Sequence, residues 1–536
     1  MSKTLKQRLA NGATALIAGA AMLGNAAVAN AKPIKIESEN IVFYGDNIKP
    51  SNAAEAVRNW EIYRRMVFAL SGVDNPQPDP EKLTVLGFYD TGDMQKFAGL
   101  PPGVVGVYTR GPEGPIFMTA VNKKYTENGA AAQTGMHEYT HHVMHYLVSD
   151  GFPRWYDEGF AEYLGTMEIS KEVIRVGVPS SGNLRPIERG FIEWISPQTV
   201  LGAIDRYPVG TKDDRKKGGI FSFYAQGWLY VHYLRATPKY KNTLGKYVRL
   251  LKQPGVDPLK AFEEAHGVSV EQFHEEAIAY YDENKFAIDQ YEPGEAFMTV
   301  DMDVSALSEE EFAHAQLLGN LTFLSDDNAK VLRRNAKKAL KHDPASPRVT
   351  AAYVALDLQD ENYDLAIRRA DAALSARPDD LTLLRSAGLA RIAESFDAAV
   401  EDIGRYDRVQ YKPDETAMEG IDLLKRVLAR DEVDYLSIRA LTNIYGNSDL
   451  EPSRDILKAA YVFEERYMDS VESNQGMNLA MIYAKGGDWE GACQMSGIVR
   501  GLNANKSKKE TGNIPARLAH FDASFPGECK DGATGN

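Results

Sequence analysis

Apolar and polar residues alternate through IKIESENIVFYG near the start of the chain, the period-two pattern of strands with one covered face. AAEAVRNWEIYRRMVFAL follows with apolar residues at helical spacing, then KLTVLGFYD and GPIFMTAV, short β-rich runs bounded by Gly, Pro and Asp. From about 130 to 290 the pattern turns helical. A strand layer followed by a helical layer predicts an α+β domain.

The pattern changes again near residue 308. Ser308 and Glu311 form a capping box ahead of EFAHAQLLGNLTFL. Ala336, Ala339, Leu340 and Pro344 then recur as Ala370, Ala373, Leu374 and Pro378, each shifted by 34 residues. That period belongs to tetratricopeptide repeats. NYDLA around Tyr363 and Ala366 returns as DWEGA around Trp489 and Ala492. Small residues at these positions let paired helices approach closely, so an all-α helical repeat domain is expected, with degenerate units between about 395 and 450.

The chain of 536 residues is too long for one core, so two or three domains are expected. Its formal net charge of −14 argues against nucleic acid or an anionic membrane as the main partner. The first 31 residues stand apart. Lys3, Lys6 and Arg8 precede a small apolar run that ends in Ala29-Asn30-Ala31, the three-part layout of a signal peptide. The mature chain is therefore expected to have no membrane span and to be exported, periplasmic or secreted. An oxidising compartment gives meaning to the two cysteines, Cys493 and Cys529. They are expected to staple the C-terminal tail to the last helical repeat, two thiols being the alternative.

The chemistry lies in TGMHEYTHHVMHYLVSDGFPRWYDEGFAEYL. On a helix His137 and His141 share a face with Glu138 beside them, and Met136, Thr140, Val143 and Leu147 form the stripe that packs inward. Two imidazoles at this spacing can bind one zinc ion, and Glu138 is placed as general base toward the attacking water. Zinc needs a third protein ligand, and Glu158 is available with sixteen residues between it and His141. Glu162, one turn further, is positioned to orient the ring of His137.

HEYTH followed by WYDEGFAEY resembles the gluzincin metallopeptidases, in particular the bacterial peptidase-MA-like domains, often exported and fused to tetratricopeptide repeats. The resemblance covers about 40–290. It implies a zincin-like α+β fold with one Zn2+ per chain on His137, His141 and Glu158, Glu138 as base and Glu162 as the supporting carboxylate. It extends to Tyr224-Ala225-Gln226-Gly227, similar to the Tyr-x-x-Gly of aminopeptidase N-like enzymes, which implies that the Tyr224 phenol stabilises the oxyanion. Two features depart from the pattern. The gap from His141 to Glu158 is about two residues shorter than in those enzymes, and a strand of the G-A-M-E-N type is missing. By the resemblance Gly114-Pro115-Ile116-Phe117-Met118-Thr119 is expected to be the edge strand beside the substrate, but it has no glutamate to hold a free amino terminus, so exopeptidase activity is not implied.

The organisation read from the sequence is a signal peptide over 1–31, a gluzincin-like domain over 32–295, tetratricopeptide-like repeats over 300–510 and a tail over 511–536. The expected activity is zinc-dependent hydrolysis of a peptide or protein substrate, with the repeats recruiting substrate or a protein partner. Two rival readings are a catalytically silent zincin-fold scaffold working through its repeats and a zinc-dependent hydrolase of non-peptide bonds.

Overall fold

In the computed structural model, alternation in the first segment becomes two strands, β1 (Ile34–Glu37) and β2 (Ile41–Gly45). Ile34, Ile36, Ile41 and Phe43 turn into the core and Lys35 and Tyr44 turn outward. The structure describes residues 32–529, apart from 122–129, 148–151, 180–183, 185–193, 204–219, 404–411, 468–472, 504–512 and a few shorter gaps. The expected signal peptide lies outside the described residues.

β1 and β2 are antiparallel, whereas β2 runs parallel to β3 (Leu83–Phe88). Parallel neighbours need a crossover, and helix α1 (Pro50–Leu70) makes it, burying Val57, Trp60, Ile62, Tyr63, Met66 and Val67. A short helix α2 (Thr91–Ala98) follows, capped by the Asp90 carboxylate and closed by Gly99 in the left-handed region at φ 66°. Strands β4 (Gly106–Gly111) and β5 (Gly114–Ala120) complete one side of the sheet, in the order β4-β5-β3-β2-β1-β9, where β9 is Asp303–Ala306. This corrects the placement of Gly114–Thr119 at the edge. All seven positions of β5 are buried, as suits an interior strand with both faces covered, and the edge is β4.

The helices that follow are α3 (Ala130–Leu147), α4 (Arg154–Gly165), α5 (Pro197–Leu201), α6 (Ile220–Ala236), α7 (Thr243–Leu251), α8 (Pro258–His266), α9 (Val270–Asp282) and α10 (Glu295–Met298). A small antiparallel sheet joins β6 (Glu168–Ile169), β7 (Ile174–Val176) and β8 (Asp289–Tyr291). Strand β9 pairs antiparallel with β1, so this first unit runs to Phe312, beyond the expected end at 295.

The second unit is helical. The box at Ser308 forms: its hydroxyl accepts from the Glu311 N–H at 3.1 Å, and its own N–H donates to the Glu311 carboxylate at 2.6 Å. It opens α11 (Glu309–Thr322), followed by α12 (Ala329–His342), α13 (Pro347–Gln359), α14 (Tyr363–Ala376) and α15 (Leu381–Ile403). Then come α16 (Glu415–Leu428), α17 (Tyr435–Gly446), α18 (Arg454–Tyr467), α19 (Ser473–Lys485) and α20 (Trp489–Asn503). From α12 to α20 each helix packs on its sequence neighbour, and α13, α15, α17 and α19 also pack one on the next. Ala336, Ala339, Ala366, Ala370 and Ala492 are fully buried where the helices approach. The span expected as a tail contains a further helix, α21 (Ile514–Ser524), with Ile514, Arg517 and Phe521 buried. Cys493 on α20 and Cys529 beyond α21 are joined by a disulfide. Among the described residues no helix is long and apolar enough to cross a membrane.

Candidate metal centre

Helix α3 is fixed through its apolar and hydroxyl face. Met136, Thr140 and Val143 are buried; the side chain of Leu147 lies outside the described residues. The Thr140 hydroxyl donates to the Met136 carbonyl at 2.8 Å and pairs with the Tyr63 hydroxyl of α1 at 2.5 Å. Held this way, α3 presents His137 and His141 towards α4, on which it packs. Their rings lie 4.9 Å apart at 80°.

Two glycines set the position of α4. A Cβ at Gly159 would lie 2.4 Å from the Gly227 carbonyl oxygen, and one at Gly227 would lie 3.1 Å from the Trp155 carbonyl oxygen. Helices α4 and α6 therefore cross backbone to backbone. This contact locates Glu158, next to Gly159, and Tyr224, one turn before Gly227. The Tyr224 ring stands 6.0 Å from that of His137.

The outcome is a small triangle of donor atoms. His137 Nε2 and His141 Nε2 are 3.2 Å apart, and Glu158 Oε2 lies 3.3 Å from the first and 3.4 Å from the second. Donors bound tetrahedrally to zinc at about 2.0–2.1 Å stand roughly 3.3–3.4 Å from one another. Oε2 is buried and makes no hydrogen bond, an arrangement that a shared cation relieves. Two imidazoles and one carboxylate also make a donor set typical of catalytic zinc. The residues thus fit a metal ion.

Each outer ring nitrogen has a carboxylate close by. His137 Nδ1 is 3.3 Å from Glu162 Oε1, and His141 Nδ1 is 3.1 Å from Asp157 Oδ2. When the imidazoles are neutral with their protons on Nδ1, beside these carboxylates, each Nε2 turns a lone pair to the centre of the triangle. The carboxylates also set the charge. Burial disfavours the charged His137, but Glu158 and Glu162 outweigh it and raise its pKa to about 10. His141 is raised well above its ordinary value by Asp157 and Glu158 against the same burial. Burial works upward on the Glu158 carboxyl, yet His141 and Arg154 hold it well below the usual carboxylate range. Without metal the cluster favours protonated imidazoles, and a metal ion bound there would release those protons.

His142, one residue on, belongs elsewhere. It is buried, with the Tyr108 hydroxyl 2.8 Å from Nδ1 and an Asp79 oxygen 3.5 Å from Nε2. The side chain of His145 lies outside the described residues.

The structure brings His137, His141, Glu158, Glu162 and Tyr224 together, and Glu138 sits half-buried on α3 between His137 and His141 in sequence. Two participants were not assigned from the sequence, Asp157 on His141 and Arg154 on Glu158. Their signal was the helix itself, since a start at Arg154 puts Arg154 and Glu158 on one face. The chain matches no protein-family model and no curated protein.

Proposed function

We propose that the chain is an exported zinc-dependent peptidase of the gluzincin kind that hydrolyses peptide bonds within a protein or peptide substrate. The observation that carries this reading is the triangle of His137 Nε2, His141 Nε2 and Glu158 Oε2, with edges of 3.2–3.4 Å. Zinc bound there supplies Lewis acidity, polarising a carbonyl and making water more acidic near neutral pH. Glu138 takes the proton of the attacking water and delivers it to the leaving amine. The Tyr224 hydroxyl donates to the oxyanion as charge develops. Glu162 and Asp157 hold the two imidazoles in their orientation and tautomer. No side chain forms a covalent bond to the substrate.

In this reading the first unit is a zincin-like catalytic domain. The second is a tetratricopeptide-like array whose stacked helices offer an extended surface to a substrate or a partner protein. The deciding experiment measures hydrolysis of an unstructured protein by the purified mature chain, with and without chelator and after zinc is returned. Chelator-sensitive cleavage restored by zinc supports the proposal. A chain that binds zinc stoichiometrically yet cleaves nothing, in parallel with an identical Glu138→Gln variant, would leave a scaffold in its place.

A further inference from the structure

The two oxygens of Glu158 have different surroundings. Oε2 faces the two Nε2 atoms, while Oε1 lies 2.5 Å from Arg154 Nη2, in an ion pair whose carboxylate side is almost fully buried. Helix energetics do not explain this arginine. Arg154 is the first residue of α4, and the preceding Pro153 supplies no side-chain cap. A cation there sits at the positive end of the helix dipole. Acid before base at i,i+4 is the favourable order, and this pair runs base before acid. The cation stands where a helix gains least from it and where one ligand oxygen is otherwise open.

We infer that Arg154 is a positioning residue that holds Oε1 of Glu158 out of the metal's reach and so makes the glutamate a one-oxygen ligand. This rests on the metal-site reading above. A buried carboxylate without that partner can turn both oxygens towards a cation, and cations accept such two-oxygen binding from Asp and Glu. Two-oxygen binding would take up the position that a catalytic site leaves for water or substrate.

Cobalt(II) in the full mature chain tests this without reference to activity. Four-coordinate cobalt absorbs visible light far more strongly than five-coordinate cobalt, so the band intensity at saturation reports the number of ligand atoms. The native chain and Arg154→Lys, which keeps a cation within reach of Oε1, should both show the intense spectrum. Arg154→Met should lose intensity at saturation and bind cobalt about 10–100-fold more weakly. If Arg154→Met folds poorly by circular dichroism, Arg154→Gln replaces it with the same expectation. A neutral variant with native affinity and native spectrum overturns the inference and leaves the metal site standing. Lys and Met variants altered to the same degree also overturn it, because packing rather than charge would then be responsible. A native chain that takes up no cobalt or zinc defeats the metal-site reading itself.

Discussion

His141 and His142 are neighbours in sequence and point about 100° apart around one helix. On one side, His141 Nε2 joins another imidazole and a carboxylate oxygen around a common centre. On the other, His142 enters a buried network running from Tyr108 through Asp79 to Arg64, whose Nη2 meets Asp79 at 2.6 Å. Asn40 continues it, accepting from the Asp79 N–H at 2.9 Å and donating to Glu61 at 2.8 Å. Both regions are rich in ionisable groups, and Glu158 in one and His142 in the other are buried. In the network most contacts join a donor to an acceptor, as Arg64 to Asp79 and Asn40 to Glu61 do. In the triangle three acceptor-type atoms converge, which is stable only with protons or a cation between them. Convergence of like atoms, rather than burial or charge, distinguishes a site from a strut.

The comparison breaks most readily at the triangle. His137→Ala should lose most of the zinc measured by elemental analysis after dialysis. Glu138→Gln should keep the metal and lose hydrolysis by about 10²–10⁴-fold. Full activity in that variant would show that another group moves the proton.

His266 gives the next largest effect, as a histidine buried without a carboxylate. Its Nδ1 bonds the Phe262 carbonyl at 2.9 Å, and burial pushes its pKa from 6.5 down to about 4. Between pH 6.5 and 4 the unfolded chain takes up a proton there and the folded chain does not. The stabilisation from keeping it neutral is therefore complete above 6.5 and is lost as pH falls towards 4, by up to about 3 kcal/mol. Urea unfolding of the native chain and of His266→Leu at several pH values checks this. An unchanged pH slope in the variant would assign the acid lability to other groups.

Smaller effects separate the two faces of α3. Glu162→Ala should weaken zinc binding roughly 10–100-fold by releasing the His137 ring, measured by chelator competition. His142→Phe should leave zinc affinity as it is and lower stability by about 1–3 kcal/mol, since Tyr108 loses its Nδ1 partner. Loss of zinc from His142→Phe would join the two regions into one functional unit.

Legibility in the sequence followed the range of the interactions. The pairing of His137 with His141 is a property of one helix and was readable from i,i+4 spacing, as was the capping box at Ser308. Glu158 was readable only because a helical run follows it. Asp157 and Arg154 required the start of α4 to be known, and Pro153 marks that start without a capping side chain. Helix α2 carried its signals in Asp90 and Gly99 but is only eight residues long. Strand β9 was illegible for a different reason. All four of its residues are exposed, so no apolar alternation marks it, and its place in the sheet comes from backbone pairing with β1, far away in sequence.

That pairing bears on the order in which the protein can be completed. Synthesis delivers the chain from its amino end, so β1 emerges early and waits through more than 260 residues for Leu307 and β9, with Ile34 facing Ala306 and Leu307 donating to the Pro33 carbonyl at 2.7 Å. Until then β1 presents an open ladder of N–H and C=O groups, the kind of edge that recruits other chains. A shortened protein ending near 295 would remain permanently in that state, whereas one ending after Phe312 would carry its own closing strand.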